Sequence, residues 1–494
     1  MYRLFFVLTL GFLFSSNLFG QNISSNNHLI KSKQLDSLFQ FCFDNQMFNG
    51  TILISEKGKR IYQKSFGYKD VDRNHELTEN SSFLLASISK QFTAAGIIYL
   101  HSKGKIDYDK TVISYLPNFS YPDITVRQLL NHTSGLPEYM DMLNAQKDKL
   151  IKRYEEKGEI VTNERISSLF SKRKPALDFE PGSDFYYSNT GYLYLALIIE
   201  KLSNKSFDQF LNETFFKPLH LKNTFVLDSD SNVDKANGFK INFISGETFE
   251  NNPPPFFKVY GDGGIYSSTL DLEKWFYSLD SGKIIDKKYI EEAYTASEIN
   301  NKRLPYGFGW FVKELPFNQH KAVTHSGIFA GFTNSVFRDL EGEVISIILS
   351  SNSHSINREI NKAVVRILYG MPFQLPKIKA EAVLGKIIVQ EGIEAAKSFY
   401  HNNESDKRYD FTQKEFNQLG YSLLRLELYD KAIDVFEWNI ERFPDSANAF
   451  DSLGEAYLQK EDKANALVNY KKAYILDSSN INAKQIIDRL ENQE

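Results

Sequence analysis

The spacing of apolar residues changes along the chain, and each change predicts a different kind of element. Residues 27 to about 48 carry Leu35, Phe39 and Cys42 at helical spacing, which predicts a helix with one core-facing side. Thr51–Ile54 and Lys59–Phe66 read as a hairpin turned at Glu56-Lys57-Gly58. A long apolar segment between residues 83 and 103 predicts a buried helix, and a mostly helical stretch continues to about residue 225. Strand-like segments return at Tyr306–Val312, Lys321–His325, Asn334–Arg338 and Val344–Ser350, followed by a helix over about 356–369. Strands at both ends with helices inserted between them predict one mixed α/β (α+β) domain over residues 27–370, its sheet drawn from both ends.

Met371-Pro372 and Leu375-Pro376-Lys377 mark a linker over 371–379, and the chain beyond it, 380–494, is helical and repetitive. Phe416, Leu419, Gly420, Ala432 and Phe436 recur 34 residues later as Phe450, Leu453, Gly454, Ala466 and Tyr470. That period, with small residues where paired helices approach, resembles tetratricopeptide repeats, here about 413–446 and 447–480. Residues 380–402, with Gly385, Ala395 and Ala396, read as a further degenerate pair or as a segment that docks the repeats onto the first domain. Repeats of this kind imply a protein or peptide partner in their groove, or else a stabilising appendage.

Composition narrows the function classes. The 494 residues are 42% hydrophobic and 24% charged, with a net charge of −4, so no basic field points to nucleic acid. No His-Glu-x-x-His, zinc-type Cys/His cluster or Gly-x-x-x-x-Gly-Lys loop is present, and no metal or organic cofactor is implied. Arg3, the apolar run Leu4–Phe14 and the small residue Gly20 before Gln21 read as a secretory signal over 1–20, which places the mature protein outside the cytoplasm, secreted or periplasmic, with an uncleaved membrane anchor as the alternative. Cys42, the single cysteine, excludes an intrachain disulfide and reads as core.

The candidate chemistry starts at Ser87-Ile88-Ser89-Lys90. A serine and a lysine three apart on a helix share a face, so an amine lies beside a hydroxyl that needs activation. Ser-x-x-Lys also occurs at Ser102–Lys105 and Ser171–Lys174, but only Ser87 opens a long apolar segment. Three further motifs follow in order: His132-Thr133-Ser134-Gly135-Leu136-Pro137, Tyr187-Ser188-Asn189, and His325-Ser326-Gly327. A Gly263-Gly264 turn lies between the last two.

This ordered set resembles the serine β-lactamase and penicillin-binding-protein superfamily, on its class C and DD-peptidase-like branch, over residues about 30 to 370. The resemblance implies an antiparallel sheet flanked by helices and an acyl-enzyme on Ser87. It implies that Lys90 and Tyr187 share the base role and that Asn189 contacts the substrate and positions Lys90. It further implies an oxyanion hole from the N–H groups of Ser87 and Ile328, with Gly327 allowing close approach to the strand. His132 is read as structural.

His325 stands where many β-lactamases have lysine. With a reference pKa near 6.5 a histidine is only partly charged at neutral pH, so anionic substrates are expected to bind better at mildly acidic pH. The expected activity is hydrolysis of an ester or a D-amino-acid-type amide. A β-lactamase or DD-carboxypeptidase proper, or a penicillin-binding sensor without turnover, are the alternatives.

Overall fold

The computed structural model describes residues 27–227, 234–297, 305–353 and 357–492. The expected secretory signal lies outside the described residues. The chain divides into two compact units, Met1–Lys240 with Glu250–Phe373, and Ile241–Phe249 with Gln374–Glu494.

The first unit is built on a six-stranded antiparallel sheet. Its strands are β1 (Gly50–Glu56), β2 (Lys59–Phe66), β3 (Phe311–Glu314), β4 (Lys321–Phe329), β5 (Phe332–Asp339) and β6 (Val344–Ser350), in spatial order β3-β4-β5-β6-β1-β2. β1 and β2 turn at Lys57 (φ 52) and Gly58 (φ 73), the two left-handed residues that a tight hairpin between right-twisted strands requires. β1 then pairs with β6 along its whole length, from Gly50 opposite Ser350 to Glu56 opposite Val344.

Residues on both faces of these central strands are buried. Leu53, Ile347 and Leu349 share a core with Phe92, Trp275 and Phe276, while Ile52, Ile54 and Ile348 on the other face are also fully buried. A sheet covered on both sides explains why β1 and β6 read as continuous apolar runs rather than alternating ones. Helix α1 (27–44) covers β2, with Phe39 against Phe48, Tyr62 and Phe66. Cys42 is fully buried and its thiol is pushed up to about 12 by that burial, in keeping with a core role.

The predicted strand from Tyr306 is corrected to Phe311–Glu314. Tyr306 makes only an isolated bridge to Phe311, because Gly309 turns the chain (φ 81) where a side chain would meet the Lys90 carbonyl oxygen and Gln91 Cα at 3.0 Å. β4 and β5 run further than expected, to Phe329 and from Phe332. Helix α2 (Lys90–Ser102) is buried on nearly all sides, as its unbroken apolar run requires. Phe92 stacks on Trp275 at 4.5 Å.

The second unit holds seven helices among its described residues, from Ala380–Gln390 to Ile481–Glu491. The 34-residue offset corresponds to two helix pairs, Gln413–Leu424 with Tyr429–Arg442 and Ala447–Gln459 with Lys463–Leu476. Gly420 faces the Phe436 ring and Gly454 the Tyr470 ring, where an added Cβ would meet ring atoms at 2.4 and 3.0 Å. The aromatic partners are thus admitted by the absence of a side chain. Ile244, from the inserted segment Ile241–Phe249, belongs to this unit's core together with Leu384, Leu419 and Trp438.

Candidate active site

Ser87 sits in a 3-10 turn, Ala86–Ser89, between the short strand Phe83–Leu84 and α2. The expectation that Ser87 itself begins the α-helix is corrected by one turn: Lys90 is the first α-helical residue. Ala86 adopts φ 49, a left-handed conformation that costs a residue with a Cβ about 1 kcal/mol. The turn is held by surrounding bonds. Asn334 Nδ2 donates to the Leu84 carbonyl (2.7 Å), Leu85 N to the Ile265 carbonyl (2.8 Å), and Ile265 N to Ser89 Oγ (3.2 Å).

Lys90 is fully buried and its Nζ contacts three oxygens: Asn189 Oδ1 at 2.7 Å, the Asp262 carbonyl at 2.8 Å and Ser87 Oγ at 3.2 Å. An amide oxygen and a main-chain carbonyl can only accept. They therefore take two of the nitrogen's hydrogens and leave its remaining tetrahedral position pointing at Ser87 Oγ. In the ammonium that position is a hydrogen; in the free amine it is the lone pair that a serine proton needs.

Tyr187 stands on the opposite wall. Lys90 Nζ lies 4.9 Å from its ring centroid, and its ring packs on His132 (4.3 Å) and Phe311 (6.1 Å). Its hydroxyl, buried, has no hydrogen-bond partner among the described residues. The expected close Lys90–Tyr187 pair is thus a cation over a ring face rather than a hydrogen bond. Asn189 begins helix α3 (Asn189–Ser203), and its backbone N–H donates to Glu138 Oε2 at 2.7 Å.

His325 is also fully enclosed. Its Nδ1 lies 2.7 Å from the Ser326 carbonyl, an obligate acceptor, so Nδ1 carries the proton and Nε2 accepts from the Tyr306 hydroxyl at 3.0 Å. Burial, and after it the nearby Lys90 charge, lower its pKa to about 3. The expectation of a partly charged histidine fails here, because the reference value belongs to a solvated ring.

Gly327 does allow a close approach, but of the protein itself. An added Cβ would lie 1.9 Å from the Leu85 carbonyl oxygen, so the glycine admits the nucleophile's own turn against β4. Ile328 follows on the half of β4 that β3 does not pair with, and its side chain is 70% exposed at the pocket rim. His132, with φ 60, accepts from Ser188 N through Nδ1 (3.2 Å) and packs on Tyr187, as a structural histidine.

A cavity of about 190 Å³ opens beside Ser87. Met140, Leu227, Pro253, Phe257, Ile328 and Phe329 give it apolar walls, and Asp262 is the one charged residue lining it among the described residues. The carboxyls of Glu138 and Asp262 are both raised by burial, against opposing hydrogen bonds and the charge of Lys90. Sequence reasoning missed Glu138, Tyr139, Asp262, Tyr306 and Asn334. Glu138 and Tyr139 follow the His132–Pro137 motif directly, and that adjacency was the available signal. No group of three or more His, Cys, Asp or Glu side chains among the described residues could hold a metal ion.

A family profile described as Beta-lactamase matches residues 35–370. The chain is 34% identical over 365 residues to Penicillin-binding protein 4* of Bacillus subtilis (strain 168), covering 71% of this chain and 79% of the relative. Among solved structures, an octameric penicillin-binding protein homologue from Pyrococcus abyssi superposes with a TM-score of 0.61 at 25% identity, covering 71% of this chain and 80% of that one. EstCE1, a hydrolase with promiscuous acyltransferase activity, shares the fold with a TM-score of 0.59 at 20% identity, covering 69% and 99%.

Proposed function

Since this chain belongs to the beta-lactamase family of serine hydrolases, we propose that it is an exported enzyme that acylates Ser87 and cleaves an ester or a D-amino-acid-type amide. The observation that carries this reading is the buried Lys90 nitrogen aimed at Ser87 Oγ at the edge of an apolar cavity.

Ser87 Oγ attacks the carbonyl carbon. The new C–O bond forms as the serine proton passes to the Lys90–Tyr187 pair in the state that lacks one proton, either free amine with phenol or ammonium with phenolate, with the oxyanion at the backbone N–H groups of Ser87 and Ile328. Tyr187, whose hydroxyl has no other partner among the described residues, delivers that proton to the leaving group as its bond to carbon breaks. Water reverses the sequence: its proton goes to the pair, and Ser87 leaves protonated. Asn189 orients Lys90 throughout.

A pocket without a cationic lining side chain among the described residues, and a neutral His325, favour neutral acyl groups over substrates anchored by a carboxylate. The test is an intact-mass time course of the mature protein with a p-nitrophenyl ester and, separately, a penicillin, with S87A as control. A Ser87 acyl adduct and ester turnover, both absent in S87A, are expected. Full turnover by S87A would end the assignment. N-terminal sequencing of the exported protein should begin at Gln21.

A further inference from the structure

We propose that the segment Pro137-Glu138-Tyr139 is a jig that holds both obligate acceptors of Lys90, and that Glu138 and Tyr139 are positioning residues for acylation. The inference rests on the reading of Ser87 and Lys90 as nucleophile and proton carrier. Lys90 reaches two acceptors on different elements, Asn189 at the start of α3 and the Asp262 carbonyl in the Gly261–Gly264 turn. Gly261 packs on Tyr192 and Ala196 of α3 and its carbonyl accepts from Thr93 Oγ1 (2.6 Å), yet Asn189 Oδ1 and the Asp262 carbonyl must themselves also hold still for the third position of the nitrogen to face Ser87.

The three-residue segment touches both. Glu138 Oε2 accepts from Asn189 N (2.7 Å) and its Oε1 from Met140 N (3.1 Å). Tyr139 N donates to Thr190 Oγ1 (2.9 Å), which donates in turn to the Pro137 carbonyl (2.7 Å). The Tyr139 hydroxyl then crosses to Asp262 Oδ2 at 2.9 Å. Ser188, the residue before α3, makes no side-chain cap of its own, so Glu138 supplies the acceptor that the helix end lacks. Tyr139 and Asp262 are buried, and both also line the cavity floor beside Ser87, whereas Glu138 does not line it.

For Glu138 the geometry separates this role from substrate binding. Both Glu138 oxygens already accept from backbone N–H groups, and glutamine has only one oxygen to offer, so E138Q sets an amide N–H₂ against one of those donors. Y139F removes the bond to Asp262 and keeps the ring.

With p-nitrophenyl butyrate, each variant should lose kcat by on the order of 10- to 100-fold from misplacement of the amine, with KM within about threefold of wild type. A crystal structure of E138Q should place Asn189 Oδ1 more than about 3.5 Å from Lys90 Nζ, outside hydrogen-bonding range. Unchanged kcat in both variants overturns the inference, as does a kcat loss in an E138Q crystal whose Asn189–Lys90 distance stays at 2.7 Å. Should E138Q not fold, Y139F carries the test, read at the distance from Lys90 Nζ to the Asp262 carbonyl. Wild-type protein without ester turnover would sink the functional reading, and the crystal distances alone would then decide the positioning role.

Discussion

The two walls of the site treat their polar groups in opposite ways. On the α2 side, Lys90 has every direction occupied, with two acceptors built to hold it and the third position given to Ser87. On the other side, Tyr187 lies among rings, His132, Tyr306, Phe311 and His325, and its hydroxyl is left without a partner among the described residues. One wall fixes a charge, and the other keeps a hydroxyl available. A group that must exchange partners during reaction gains from having none at rest, because no bond need be broken first. A group that must aim gains from being saturated.

The most damaging way to break this contrast is Tyr187→Phe. Turnover of a nitrophenyl ester should fall by on the order of 100- to 10,000-fold if the hydroxyl moves a proton. Stability should hold or rise slightly, since a buried unpartnered hydroxyl contributes no bond to lose. A melting temperature that drops along with activity would show that the hydroxyl has a structural partner.

Next in size is Gly327→Ala. Its Cβ would press on the Leu85 carbonyl at 1.9 Å, pushing the Ser87 turn off β4. A cost of about 2 kcal/mol in unfolding free energy is expected, and acylation should slow by on the order of 100-fold from misplacement of the nucleophile. Urea denaturation and single-turnover kinetics read the two effects separately.

The third test sharpens the Tyr187 wall. His325 is neutral with a pKa of about 3. KM for a carboxylate-bearing ester and for its neutral counterpart should therefore depend identically on pH between about 5 and 8. The stability consequence has a definite sign. The folded pKa lies below the unfolded value near 6.5, so the unfolded chain binds more protons in between, and stability falls as pH drops from about 6.5 toward 3. A KM gap between the two esters that widens toward pH 5 would mean that the ring is charged in use.

The smallest effect belongs to the helical unit. Gly420→Ala brings a Cβ to 2.4 Å from the Phe436 ring. The helix gains about 1 kcal/mol from losing a glycine, but overpacking outweighs it, for a net loss of about 1 kcal/mol. Ester turnover should not change, and calorimetry should register only a lower transition for the helices.

Much of this site was legible because its motifs are local. Ser87 and Lys90 are three residues apart, Tyr187 and Asn189 two, and a short spacing survives any arrangement of the rest. The centre of the sheet was legible because β1 and β6 are continuous apolar runs, although the turn at Gly309 hid where β3 begins. The carboxyls of Glu138 and Asp262 were not legible. These two residues meet Asn189 and Lys90 across separations of 51 and 172 residues, and no periodicity reports such meetings. His325 was read wrongly as a charge, since its position in the chain says nothing of how deeply the ring is buried.

The register of β1 against β6 also bears on synthesis. Gly50 pairs with Ser350, so the centre of the sheet is a seam between a segment made early and one made three hundred residues later. β2 can join β1 as soon as the hairpin emerges, but the other edge of β1 stays open while the whole helical region is translated. Closing so long a loop is slow, and an open apolar edge is an invitation to pair wrongly. The last strand of the sheet to leave the ribosome is therefore the one that completes its middle, and a nascent chain that stops short of residue 350 holds a nucleophile turn with no finished sheet to brace it.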